Sequence, residues 1–256
     1  TVFDSQQTLE DKYQHHAIEL LKTDPNQQVL FGFDVTKPAS WPNHWSEFKH
    51  QKFDLVIFQF PLVPAFEDPD YFHRMGDISV NTLNRLLLRQ YLIHCTQYFL
   101  DPDGKQLCYI TSKDVKPYNE WNIENSLNQG LNHIHYLGSM PFEITKFPGY
   151  KIRNVDRDKH VRDTQGITYV WSPKAQRIKS SENNTEGHDK ALLEALEAKS
   201  HQSEDSCGIC KAGPFVSNSD KTLHEQTKKH RLMQQYEQQY AKALLKHNEN
   251  NERLAF

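Results

Sequence analysis

Cys207 and Cys210 enclose two residues; His224 follows after thirteen more and His230 after a further five. Thiolate and imidazole are the donors that a tetrahedral Zn²⁺ accepts. Two short pairs joined by a dozen-odd residues are how one small unit delivers them. Such a unit buries too little apolar surface to fold alone, so metal binding, worth about 10 kcal/mol or more, supplies its folding free energy. The chain has only four cysteines, and two of them stand at this spacing. Cys207, Cys210, His224 and His230 are therefore the candidate metal ligands, with Zn²⁺ as the expected ion. Cys95 and Cys108 sit in apolar segments and are expected as buried free thiols, a usage that suits a reducing compartment.

Charge is the second chemical signal. A net charge of −3 speaks against global attraction to a polyanion, yet the distribution is uneven. Residues 146–179 carry nine Lys/Arg against three Asp, and residues 207–231 carry five basic against two acidic residues. Local basic clusters of this kind are the electrostatic footprint of a nucleic-acid contact, with a solvated basic face as the alternative.

The elements that must position these groups follow from length and pattern. At 256 residues the chain has room for one α/β domain and an appendage, and 37% hydrophobic residues support a real core. No stretch approaches the roughly 18 apolar residues of a membrane span, and nothing near the N-terminus resembles a secretion signal. The chain begins at Thr1 within what reads as a strand end, so it is expected to be a processed or incomplete product. Residues 6–22 have helical spacing, residues 29–35 read as a strand, and residues 53–58 form a buried-strand pattern. A long helix is expected over 78–100, a turn over 101–104, a strand over 106–111 and a helix over 120–130. Two closing strands are expected at 142–145 and 166–171. Strands alternating with helices imply crossover units and a mostly parallel sheet. Residues 180–206 are polar and read as a linker with one short helix near 189–199. The Cys/His unit spans 207–231, with Ser219 as expected N-cap of one helix carrying both histidines. That helix is expected to continue as a charged, Gln-rich extension over 232–256. The first domain is accordingly drawn at 1–179.

Five pieces in register make the first domain recognisable. They are Asp4-Ser5 with Lys12-Tyr13, then Phe33-Asp34 with Thr36, then Phe53-Asp54 leading to Gln59-Phe60-Pro61. Pro117-Tyr118 with Trp121 and Phe147-Pro148-Gly149-Tyr150 complete the series. Together, over about residues 1–172, they resemble the Rossmann-like rRNA uridine methyltransferases that act on ring nitrogen 3 of uracil, and so the class I methyltransferases using S-adenosylmethionine (SAM). The resemblance implies that ligands bind beyond the carboxyl ends of the strands. It implies Asp4 as acceptor for the SAM ribose hydroxyls, Asp34 near the adenine, and Gln59 to Pro61 facing the transferred methyl and the target base. Trp121, Tyr118 and Tyr150 are expected as packing residues. The family's glycine-rich loop and first strand lie before the point where this chain starts, so the sheet is expected without its first strand. The family's fourth strand ends in Asn-Phe-Pro-His and a small residue; here it reads Gln59-Phe60-Pro61-Leu62, then Val63-Pro64. Loss of the histidine removes a titratable group, and the longer amide shifts by about one bond, a displacement that can cost about 10²-fold in rate. Weakened or lost activity on a retained scaffold is the expectation.

The segment 207–231 resembles matrin-type zinc fingers, through its wide histidine spacing and the run Lys228-Lys229-His230-Arg231. Phe215 and Leu223 are the expected apolar pair on the metal site. Fingers of this type are mostly RNA binders, which implies shape, phosphate and 2′-hydroxyl contacts. Lys228, Lys229 and Arg231, with Lys151, Arg153 and Arg157 in the other basic segment, are the candidate RNA contacts. The leading expectation is an intracellular, ribosome-associated protein that grips structured rRNA, nucleolar or mitochondrial, with ribosomal or assembly proteins as partners. An active SAM-dependent rRNA uridine methyltransferase and a protein-interaction module with a structural finger remain as alternatives.

Overall fold

The computed structural model describes residues 1–13, 18–41, 52–63, 78–152, 165–175, 188–197 and 205–249. The first segment, Thr1 to Asp4, is extended and leads through the N-cap Ser5 into α1 (Gln6–Lys12), where the Ser5 hydroxyl accepts from the Thr8 N–H. A second helix, α2, spans Ile18–Thr23. Residues 29–35 do not form the expected strand. Three backbone hydrogen bonds still tie this segment to residues 1–4, but Gly32 at φ +65° turns the chain out of the extended region.

Strand β1 (Leu55–Gln59) runs parallel to β2 (Leu107–Lys113), and α3 (Val80–His94) makes the crossover between them. Both strands are rich in β-branched and aromatic residues, which suit a pleated, packed surface. The buried Tyr91 of α3 locks the pair, its hydroxyl within hydrogen-bond distance of the Val56 and Tyr109 carbonyls. A π-helical turn at Cys95–Phe99 ends the crossover, and Cys95 and Cys108 are buried free thiols, as expected.

The sheet is mixed, not mostly parallel. Its order is β1-β2-β4-β3, and β4 (Gly166–Ser172) runs antiparallel to both β2 and β3 (His135–Phe142). β1, β2 and β3 therefore share one direction, with β4 inserted against them. The excursion between β3 and β4 joins antiparallel neighbours, which need no helical crossover. The closing strand expected at 142–145 lies earlier, because Gly138 and Pro141 mask the strand pattern; this is an edge, where proline is tolerated. Residues 144–146 form a 3₁₀ turn instead. The helix expected over 120–130 shrinks to α4 (Ile123–Ser126), started by Asn122 at φ +49°.

α3 is buried on two sides. Leu88, Tyr91 and Leu92 pack with Ile110 and Trp171 of the sheet, while Leu86 joins Tyr240 and Ala243 of the C-terminal helix. The opposite sheet face takes Leu192 and Leu196 from α5 (Lys190–Ala195) and its following turn, packed on Leu107, Leu137 and Val170. Residues 188–197 are thus docked rather than free: Glu197 pairs antiparallel with Ser139 on the edge strand. Gly138 is required there, since a Cβ would fall 2.7 Å from the Glu197 carbonyl oxygen.

Candidate functional site

Two regions carry chemistry. The first is built on a tight hairpin. The Cys207 N–H donates to the Ala212 carbonyl and the Lys211 N–H to the Cys207 carbonyl, with Lys211 in the left-handed region at φ +55°. The Phe215 N–H bonds the Asp205 carbonyl, so Gly213 and Pro214 leave the hairpin closed. Gly213 is pressed against the preceding turn, where a Cβ would meet the Ser206 Cα at 2.8 Å. Inside the hairpin the Cys210 N–H points at the Cys207 sulfur at 3.4 Å.

The histidines come from two helices rather than the single one expected. α6 (Asn218–Glu225) carries His224, and α7 (Lys228–Glu249) carries His230. The break is at Gln226 and Thr227, whose hydroxyl accepts from the His230 N–H at 3.1 Å as an N-cap does. Ser217, not Ser219, caps α6, accepting from the Asp220 N–H; its earlier position lets the helix begin before Ser219.

These elements bring Cys207, Cys210, His224 and His230 together, with one ligand atom from each inside a sphere of contacts no wider than 4.8 Å. His230 Nδ1 lies 3.4 Å from Cys207 Sγ, 3.7 Å from Cys210 Sγ and 3.2 Å from His224 Nε2. One ring nitrogen has a single proton or a single lone pair, so it cannot serve three such partners by hydrogen bonding. The distances instead match a common centre: bonds of about 2.3 Å to sulfur and about 2.0 Å to nitrogen set tetrahedral edges of roughly 3.3–3.8 Å. The four side chains therefore fit a metal ion. Burial first, then the neighbouring Cys207, push the Cys210 thiol up to about 11, a conflict that a bound cation removes. Phe215 packs its ring on His224 at 5.1 Å as expected, whereas Leu223 points outward and is exposed. It takes no part in covering the ligands.

This unit is seated on the α/β domain. Arg85 of α3 is completely buried, forms a bidentate pair with Glu237 of α7 at 2.9 and 3.0 Å, and lies 3.9 Å from the Tyr240 ring centroid. Arg89 caps the Leu127 and Gln129 carbonyls beside it. From the hairpin, Lys211 pairs with the buried Glu124 of α4. Lys228, Lys229 and Arg231 are exposed on the first turn of α7. Lys151 is exposed as well, while Arg153 and Arg157 lie outside the described residues.

The second region comprises the paired segments bearing Asp4 and Asp34 and, separately, the carboxyl end of β1. Asp4 and Asp34 end neighbouring, hydrogen-bonded segments. Lys12 Nζ lies 3.1 and 3.3 Å from the two Asp4 oxygens. Asp34 Oδ1 accepts from the Thr36 N–H and hydroxyl at 2.9 and 2.6 Å, with Lys37 at 3.6 Å from the other oxygen. Gln59 ends β1, Phe60 follows at φ +48°, Pro61 is buried, and Leu62 packs against the core. The chain is anchored just beyond by Val63, whose N–H donates to the buried Asn84 Oδ1 at 3.0 Å, a contact no local pattern announces. Trp121 is a core residue as expected. Tyr150 is not fully covered: it lies beside Phe60 and Phe142, and its N–H donates to the carbonyl of the exposed Phe147 at 3.0 Å. The cluster is readable in part, as Phe147 and Tyr150 flank Pro148 and Gly149 between Lys146 and Lys151.

No curated protein and no solved structure matched the chain. A family model did, described as BMT5-like, rRNA (uridine-N3-)-methyltransferase BTM5-like, and it covers residues 1–154. That match takes in β1, β2, β3 and the aromatic cluster but ends before the Cys/His unit, and the mixed α/β sheet is consistent with a methyltransferase-like fold. The chain belongs to the BMT5-like rRNA (uridine-N3-)-methyltransferase family.

Proposed function

We propose that this protein grips structured rRNA with two rigidly joined parts, a methyltransferase-like domain and a zinc finger, and that its methyl transfer is weakened or lost. The observation that carries this reading is the seating of α7 on α3. The helix that begins with Lys228, Lys229 and Arg231 is held by the buried Arg85 through Glu237 and Tyr240, so its basic turn has one orientation relative to the sheet. Phosphate-holding cations on a fixed helix end suit a shaped RNA better than a flexible tether does. Zn²⁺ in the four-ligand cluster would fix the hairpin and α6 on the same helix.

Reduced catalysis follows from the end of β1. Removing the N3 proton of uracil needs a base, and the run from Gln59 to Leu62 offers an amide and three apolar side chains. Asp4 and Asp34 are the residues that would hold SAM, which supplies the methyl group when bound; both carboxylates already contact lysines, so a ribose would share or displace Lys12. The placement of these two carboxylates on adjacent segments favours a second reading, an active rRNA uridine methyltransferase. The deciding experiment measures, on the full chain, rRNA-fragment affinity against salt together with SAM binding. Salt-dependent RNA affinity without saturable SAM binding supports the first reading. Methyl transfer to uridine N3 supports the second, and absence of RNA binding sinks both.

A further inference from the structure

Two of the elements that carry metal ligands are anchored on the same four-residue helix of the α/β domain. α4 is itself tied to the core: it lies between the buried Trp121 and Leu127, with Ile123 packed in the same cluster. From it the buried Glu124 pairs with Lys211, the residue that follows Cys210 in the hairpin. Two residues on, the Ser126 hydroxyl accepts from Arg85 Nε at 3.2 Å, while the two terminal nitrogens of Arg85 hold Glu237 of α7. Asn122, just before α4, donates to the same Glu237 carboxylate at 3.3 Å.

These anchors bear on where the ligands point. Positions 230, 233, 237 and 240 follow one another at helical spacing and share one face of α7, on which His230, Met233 and Tyr240 are buried. Holding Glu237 therefore fixes the rotation of the helix and with it the direction of His230. Lys211 acts in the same way on the cysteines. Its N–H bonds the Cys207 carbonyl in the hairpin, and its side chain is tied to Glu124. The fourth ligand, His224, comes from α6, which has no buried residue.

An isolated Cys/His unit draws the ordering of its ligands from the metal. Here the domain orders the elements bearing three of the four. We propose that Glu124, Lys211 and Glu237 are positioning residues of the metal site, and that through α4 the binding of Zn²⁺ and the folding of the α/β domain form one coupled equilibrium. None of the three residues belongs to the ligand cluster. The coupling is reciprocal by necessity: contacts through which the domain raises metal affinity are contacts through which the metal stabilises the domain. The proposal rests on the fit of the four side chains to a metal ion and is independent of RNA.

The test uses the full chain, reduced and stripped of metal, with Zn²⁺ titrated against a chromophoric chelator. Lys211→Ala changes an exposed side chain and leaves all four ligands in place. It should weaken zinc binding about tenfold, within the usual range for coupled sites. Lys211→Arg, which keeps a cation for Glu124, should stay close to wild type. In a Glu124→Gln background the Lys211→Ala loss should largely disappear, whereas a direct attraction of the lysine for the thiolates would persist there. The converse effect is read by tryptophan fluorescence, since Trp41, Trp45, Trp121 and Trp171 all precede the Cys/His unit. One equivalent of Zn²⁺ should raise the urea midpoint of that signal in wild type and raise it less in Glu237→Gln. Three outcomes would overturn the proposal and leave the metal site standing: no loss with Lys211→Ala, an equal loss in both backgrounds, or a full equivalent of bound zinc with an unmoved tryptophan midpoint. Failure of wild type to bind zinc would remove both. No readout involves RNA, so the RNA-binding reading stands or falls separately.

Discussion

The Cys/His cluster and the carboxyl end of β1 differ in what holds their functional groups. In the cluster, four side chains from a hairpin and two helices converge on a point, and their spacing fits a shared ion. In the second region the two carboxylates are engaged by protein, Asp34 by Thr36 and Asp4 by Lys12, while β1 ends in Gln59 next to Phe60. Convergence without internal satisfaction marks a site that waits for a ligand. Satisfied groups mark a scaffold whose polar positions have been taken into structure, and the exposed surface left beside them is aromatic.

The largest effect should come from removing a metal ligand. Cys207→Ser or Cys210→Ser should abolish stoichiometric zinc, measured by metal analysis after dialysis, because the binding free energy of about 10 kcal/mol or more depends on the full donor set. Corresponding changes at Asp4 should leave metal content unchanged. Retention of zinc by both cysteine variants would erase the contrast between the two regions.

A smaller effect is expected where the regions are joined. Glu237→Ala strands the buried Arg85 guanidinium, which should cost about 3 kcal/mol in urea unfolding. The double change Arg85→Met with Glu237→Leu should recover most of that loss, since a buried pair exchanged for apolar residues is often neutral. If Glu237→Ala costs nothing, the helix that carries the basic turn is not clamped by this pair.

The metal site should also respond to acid. The Cys210 thiol, at about 11 without the ion, must lose its proton to coordinate, so metal binding competes with protons and weakens as pH falls. This thiol alone predicts a loss of about tenfold in apparent affinity per pH unit below its value. A zinc titration of the metal-free chain between pH 8 and pH 6 checks it; a flat profile would mean that Cys210 does not coordinate as thiolate.

For RNA, Lys228, Lys229 and Arg231 changed together to Ala should lower the slope of log affinity against log salt by up to about 2–3. This separates cations that touch phosphate from a merely solvated face, on which the slope would not move.

How much of this was legible follows from distance along the chain. The ligand array is local, with pairs separated by two and five residues, so its spacing was enough. α3, β1, β2 and β4 were legible because their apolar patterns are strong and uninterrupted. β3 was missed because an edge position tolerates Gly138 and Pro141, which read as breakers. The break between α6 and α7 has neither glycine nor proline and depends on the Thr227 cap. Hidden most deeply was the clamp of Arg85 on Glu237, partners 152 residues apart; each alone reads as a charge on a solvated helix face.

The smallest effect expected is at the strand end itself, and it is informative because it is small. Gln59→Asn restores the amide length of the resembled family and draws the group back by about one bond, the kind of displacement that can govern rate where a competent base is present. Here the residue two beyond Pro61 is Val63, buried with its N–H bonded to Asn84, and Leu62 is packed on the core, so shortening the amide supplies nothing that can take the N3 proton. Methyl transfer from SAM to a uridine-containing rRNA fragment should therefore change by less than about threefold between wild type and Gln59→Asn. A large rise in transfer would mean that the amide position alone had disabled catalysis, and the strand end would then resemble the metal cluster: a site one bond away from use, not one absorbed into the scaffold.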